Sequence, residues 1–352
     1  MTDDVAPAHA APQHATGPRP LPLFLELVRR VAERDPALAA RALTGLAAYQ
    51  KAPRLAAPRH RQELARVGPA TLRDCGGTGR PIILVPSLIN PPTILDLDDQ
   101  TSLAEPLTAS GHVLLLDWGA AADRHDLDLG SHVTDLLVPL LTSLGEAPVL
   151  MGYCLGGTLA LAAGSLATVQ AVVTLAAPWH FDAYPETSRG ALASIWQQAR
   201  AGAQALGVLP IEVLQAAFWS LDPARVVAKF ARLAELQPID AEAQRFILLE
   251  DWANGGEPLP LPAARELVED LFGADLSGRG EWIVGGQRVR PPAVPTLHFK
   301  ARQDLIVPER SAPTGEQRSC SSGHVGMIVG HRAGSDLHLP LTEWLARIGS
   351  RR

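Results

Sequence analysis

Cys154 lies at the centre of Gly152-Tyr153-Cys154-Leu155-Gly156-Gly157, preceded by the apolar run Pro148 to Met151 and followed by small residues from Leu159 to Ala167. A buried strand, a sharp turn and a helix are the natural reading, with the thiol at the apex of a Gly-x-Cys-x-Gly elbow. The turn strains its central residue, and the flanking glycines let strand and helix approach closely. A helix N-terminus aims backbone N–H groups and a positive dipole end at the sulfur, which favours the thiolate. The competing reading is a core cysteine in a Gly-rich turn. A nucleophilic role requires a base and an acid elsewhere in the chain.

Two later stretches supply them. Arg302-Gln303-Asp304-Leu305 follows an apolar strand pattern at Pro295 to Ala301, and Ser322-Gly323-His324-Val325 follows a last short strand expected near Gln317 to Cys320. Nucleophile, acid and histidine in that chain order form the triad order of an α/β-hydrolase, with Asp304 orienting the imidazole and His324 acting on Cys154. Of the eleven histidines, His331 is the nearest rival, but it falls towards the last helix. Cys75 and Cys320 read as core or loop thiols, and no Cys/His pair has zinc-ligand spacing.

The elements that must hold these residues follow from apolar patterning. Short apolar runs at Pro81–Val85, His112–Trp118, Pro148–Tyr153 and Ala171–Leu175 alternate with helical patterns, which predicts a mostly parallel sheet covered on both faces. The alternation stops after Pro178, and the mainly helical stretch 178–292 is expected to cap the carboxyl ends of the strands. The expected organisation is therefore a disordered lead over 1–20, amphipathic helices over 21–64, an α/β-hydrolase core over 65–177 and 293–352, and a cap insertion over 178–292.

The chain has 352 residues, a formal net charge of −6 and three cysteines. That balance gives no electrostatic case for nucleic-acid binding, and an odd cysteine count in a long chain is not a disulfide framework. No apolar run reaches membrane-span length and no basic-then-apolar leader opens the chain, so a cytoplasmic location is expected.

With these motifs assembled, the chain resembles the polyhydroxyalkanoate synthase family: the short, class III-like catalytic subunits or a PhaC-like α/β-hydrolase. Gly152 to Gly157 matches the family's lipase-like box with cysteine. Val85-Pro86-Ser87-Leu88-Ile89-Asn90 with Ile94-Leu95-Asp96-Leu97 resembles its Pro-rich loop and following segment, and Leu116-Asp117-Trp118-Gly119 matches a third motif. Asp304 to Pro308 and Gly323-His324 resemble the acid and histidine motifs. The segment Trp252 to Pro260 departs from the family pattern, as does Val-Gly-Met after His324.

The resemblance implies an acyltransferase that polymerises (R)-3-hydroxyacyl-CoA through an acyl-Cys154 thioester, with Asp304 and His324 completing the triad. Leu155 and Leu88 are expected to donate the oxyanion N–H groups, and Ser87 and Tyr153 to face substrate. No cofactor or metal is expected. The expected partners are acyl-CoA, a second synthase subunit, a second copy of the chain and a polymer granule surface. Two alternatives stay open: a cysteine hydrolase (thioesterase, polyester depolymerase or lactonase) using the same site, and a non-catalytic granule-associated or scaffold protein.

Overall fold

A computed structural model describes residues 17–55 and 59–350. The lead expected over 1–20 falls, for residues 1–16, outside the described residues.

The largest sheet has eight strands: β1 (Gln62–Val67), β2 (Ala70–Gly76), β3 (Pro81–Val85), β4 (His112–Asp117), β5 (Val149–Tyr153), β6 (Ala171–Leu175), β11 (Thr296–Ala301) and β12 (Glu316–Cys320). They lie in the order β1-β2-β4-β3-β5-β6-β11-β12. The pairings of β2 with β1 and β4 are antiparallel, and the others are parallel. β3, β5 and β6 are buried along their whole length, which is why they read as unbroken apolar runs rather than as alternation. The register sets Val85 beside Gly152, Tyr153 beside Leu175 and Leu175 beside Phe299. The carboxyl ends of these four strands therefore form one edge of the sheet.

Between β6 and β11 the chain is mainly helical. It contains helices Glu186–Leu206, Ile211–Leu221, Pro223–Leu233 and Ala241–Asn254, a small ribbon of β7 (Val208–Leu209) with β8 (Leu259–Pro260), and the hairpin of β9 (Ile283–Val284) and β10 (Gln287–Arg288). The chain packs as two compact units. Among the described residues, one unit comprises 17–55 together with Asp222–Asn254, and the other comprises 59–221 and 255–350. Residues 222–254 of the stretch expected as a cap thus share a unit with the N-terminal helices Leu21–Ala32 and Pro36–Lys51.

Aromatic packing accounts for the first unit: the Phe230 ring meets Phe24 at 4.8 Å, Tyr49 at 5.9 Å and Phe246 at 5.3 Å. Tyr49 is fully buried and donates to Asp251 at 2.6 Å, and Arg54 grips the same carboxylate. In the second unit, the continuous apolar core runs from the sheet through helix Leu155–Leu166 to Trp196, Leu214 and Trp282. Among the described residues, no helix is long and apolar enough to cross a membrane.

Candidate active site

Cys154 follows β5 and precedes helix Leu155–Leu166, with φ +55° and ψ −130°. A non-glycine residue at positive φ is costly, so the surroundings must impose it. Two backbone bonds do so: Cys154 N–H donates to Leu175 C=O at 2.9 Å, and Gly157 N–H donates to Cys154 C=O at 2.8 Å. A Cβ on Gly152 would fall 2.4 Å from the Gly156 carbonyl oxygen, and one on Gly156 would fall 2.3 Å from that of Val85 and 2.4 Å from that of Pro86. The elbow glycines are required by close approach, and Gly156 brings the loop after β3 against the first turn of the helix. Leu155 is the first helical residue, so its N–H has no partner within the helix.

The acid and the histidine are brought together by an extension of strand pairing. Beyond β11 and β12, Arg302 N–H donates to Cys320 C=O and Gln303 N–H donates to Ser322 C=O. This carries the two loops forward in register and sets Asp304 and His324 side by side. His324 Nδ1 lies 2.7 Å from Asp304 Oδ2, while Asp304 Oδ1 accepts N–H bonds from Ile306 and Val307, each at 2.8 Å. Both oxygens of a buried carboxylate are thus occupied and its orientation is fixed. Burial alone would lower the pKa of His324. The Asp304 carboxylate and the adjacent Cys154 sulfur outweigh that and raise it to about 10. The arrangement favours an imidazolium on the Asp304 carboxylate.

Tyr153 is buried, its ring 5.1 Å from that of His324 and its hydroxyl donating to the His324 carbonyl at 3.3 Å. Its observed contacts support the histidine. Ser87 is half-buried, and its Oγ accepts from Ile89 N–H at 3.3 Å within its own loop. Leu88 is buried in that loop, while His331 is exposed.

Other resemblance motifs are held by polar contacts. Trp118 Nε1 donates to Pro86 C=O at 3.0 Å, and Asp117 accepts from Arg73 and from Gly119 N–H. Asp96 is buried, with Arg59, Arg61 and Ser102 on its oxygens. Sequence reasoning alone misses Tyr184. It is buried, stacked on Phe181 at 5.9 Å and edge-on to Phe272 at 4.9 Å. Burial first, then the charges of Cys154 and Asp304, hold its phenol well above the ordinary range, so it lies within electrostatic reach of the site. Its sequence signal is the aromatic density of Trp179, Phe181 and Tyr184 just after β6. Among the described residues, no group of three His, Cys, Asp or Glu side chains could hold a metal ion.

The strand order, the elbow after β5 and the loops after β11 and β12 define an α/β-hydrolase fold with cysteine at the elbow. A carboxylesterase from the thaumarchaeon Nitrososphaera gargenis shares that fold, with a TM-score of 0.50 at 15% identity over 82% of this chain and 99% of that one. No protein-family model matches the chain. In sequence it is PhaC-like. It is 29% identical over 293 residues to the poly(3-hydroxyalkanoate) polymerase subunit PhaC of Haloferax mediterranei, and 26% identical over 290 residues to that of Allochromatium vinosum. These alignments cover 76% and 75% of this chain, and 58% and 80% of the respective relatives.

Proposed function

We propose that the protein is an acyltransferase that polymerises 3-hydroxyacyl-CoA, with Cys154 as nucleophile, His324 as proton carrier and Asp304 as orienting acid. The observation that carries this reading is the 2.7 Å His324–Asp304 contact beside a cysteine held at positive φ, in a chain similar to PhaC polymerase subunits. The Cys154 thiolate attacks the thioester carbonyl, and Leu155 N–H and Leu88 N–H receive the oxyanion. The tetrahedral intermediate expels the CoA thiolate, which takes the proton from the His324 imidazolium and leaves as CoA–SH. The neutral imidazole then accepts the proton of a 3-hydroxyl group on the next monomer or chain end. That alkoxide attacks the acyl-Cys154 carbonyl, forms the ester and returns the thiolate beside an imidazolium.

Sulfur suits this sequence of steps. Transfer from the CoA thioester to a thiol is nearly isoenergetic, so the acyl-enzyme keeps the driving force for ester formation. A serine would spend that drop at the first transfer.

Product analysis tests the reading. The protein is incubated with 3-hydroxybutyryl-CoA, alone and co-expressed with a synthase partner subunit. Ester-linked oligomers with CoA release support the transferase. Free 3-hydroxybutyrate as sole product makes the chain a hydrolase, and CoA release equal to that of Cys154→Ala leaves it without this chemistry.

A further inference from the structure

Behind the loop of residues 86–90 sits a buried cation that the reaction as described does not use. Arg124 is 3% exposed. Its Nε donates to Gly119 C=O at 3.3 Å, its Nη2 to Leu88 C=O at 3.4 Å and its Nη1 to His132 Nε2 at 3.2 Å. Its carboxylate contact is Glu257 at 3.8 Å, through an oxygen that also accepts Ala121 N–H. A charge this buried ordinarily sits directly on a carboxylate, because desolvation is otherwise poorly offset. Here the guanidinium is directed mainly at neutral acceptors. His132 supports this as the Nδ1–H tautomer, donating to Asp128 C=O at 2.6 Å so that Nε2 is free to accept.

The loop itself is clamped at three carbonyls. Pro86 C=O is held by the Trp118 indole, Leu88 C=O by Arg124, and Ile89 C=O by Glu257 N–H at 3.0 Å. The peptide bearing Leu88 N–H, that between Ser87 and Leu88, is therefore flanked on each side by a peptide whose carbonyl is fixed. Since peptides are planar, fixing its neighbours restricts the direction of that N–H. On its other side the loop touches the elbow through Gly156.

We propose that Arg124 is a positioning residue for the oxyanion site: by holding the Leu88 carbonyl it sets the adjoining Leu88 N–H for the charge that develops on the attacked carbonyl. This rests on the acyl-transfer reading of Cys154.

Two reactions of the same sulfur separate the proposal from a general disturbance of the fold. Acylation by p-nitrophenyl acetate passes through an oxyanion, whereas alkylation by iodoacetamide is a displacement at carbon that forms none. Arg124→Met is expected to slow the p-nitrophenolate burst about 100-fold, in kcat rather than KM, with Cys154 alkylation within about two-fold of wild type. Arg124→Lys, which keeps the charge and one donor, is expected to recover part of the loss, and it decides alone if Arg124→Met does not fold. Unchanged burst rates, or alkylation falling in parallel with acylation, overturn the proposal. A wild type that acylates with the nitrophenyl ester yet releases no CoA from 3-hydroxybutyryl-CoA refutes the synthase reading and leaves this one standing.

Discussion

His324 and His132 are both buried histidines, and they titrate in opposite directions. His324 is pushed up to about 10 and His132 down to about 4. Burial favours the neutral ring in each case, so burial is not what separates them. His324 has the Asp304 carboxylate on Nδ1 and the Cys154 sulfur nearby, whereas His132 has a backbone carbonyl on Nδ1 and the Arg124 guanidinium on Nε2. His298 is likewise held at about 4 by burial, with the neutral Thr174 hydroxyl on its ring. What separates these buried imidazoles is a carboxylate: of the three, His324 alone has one hydrogen-bonded to its ring.

Removing the imidazole should have the largest effect. His324→Gln is expected to lower the p-nitrophenyl acetate burst about 10³- to 10⁴-fold, measured by stopped-flow absorbance, while His298→Gln leaves it within a few-fold. Asp304→Asn comes next, at about 10²- to 10⁴-fold, because the amide no longer favours the imidazolium. The same substitution should move the pH dependence of Cys154 alkylation, since the carboxylate that raises His324 is gone.

Stability should follow the same division. A folded pKa of about 10 against an ordinary 6.5 means that His324 contributes its full stabilisation below about pH 6.5. That contribution declines as pH rises and is lost through about pH 10. The difference in urea midpoint between wild type and His324→Gln should therefore shrink across that window and stay level below it. For His298, with its pKa lowered, the sign reverses: its neutral-form stabilisation is present at neutral pH and lost as pH falls from about 6.5 through about 4. Thr174→Val should cost about 1–3 kcal/mol by chemical denaturation, since it leaves a buried imidazole nitrogen unpaired, with little change in activity. Tyr153→Phe is the mildest change, at about 1 kcal/mol and a few-fold in kcat, because its bond to the His324 carbonyl is long.

Much of the fold and the site is legible in the sequence because it is local. The elbow announces itself through Gly152, Gly156 and Gly157, whose missing side chains the close approaches require. The buried strands appear as apolar runs because both faces of the sheet are covered. Asp304 and His324 can be placed from chain order at the ends of successive strand patterns, though their contact depends on strand pairing that spacing does not encode. β1 escapes notice because an edge strand carrying Gln62, Glu63 and Arg66 turns only the half-buried Ala65 and Val67 towards the core, too short an apolar pattern to stand out. The grouping of the N-terminal helices with Pro223–Leu233 escapes it too. Amphipathic helices reveal an apolar stripe and not the identity of the element that covers it. Arg124 looks like one more charge in a polar stretch, and only the fold shows it buried behind the loop of residues 86–90.

The most direct test of acyl transfer through Cys154 is peptide mass spectrometry of the protein quenched at low pH after reaction with 3-hydroxybutyryl-CoA. A hydroxybutyryl thioester on the peptide containing Cys154, strongly reduced in His324→Gln and absent from the peptides containing Cys75 and Cys320, is the expected result. A wild-type protein that releases CoA with no acyl group ever found on Cys154, or His324→Gln accumulating the adduct as fast as wild type, would contradict it.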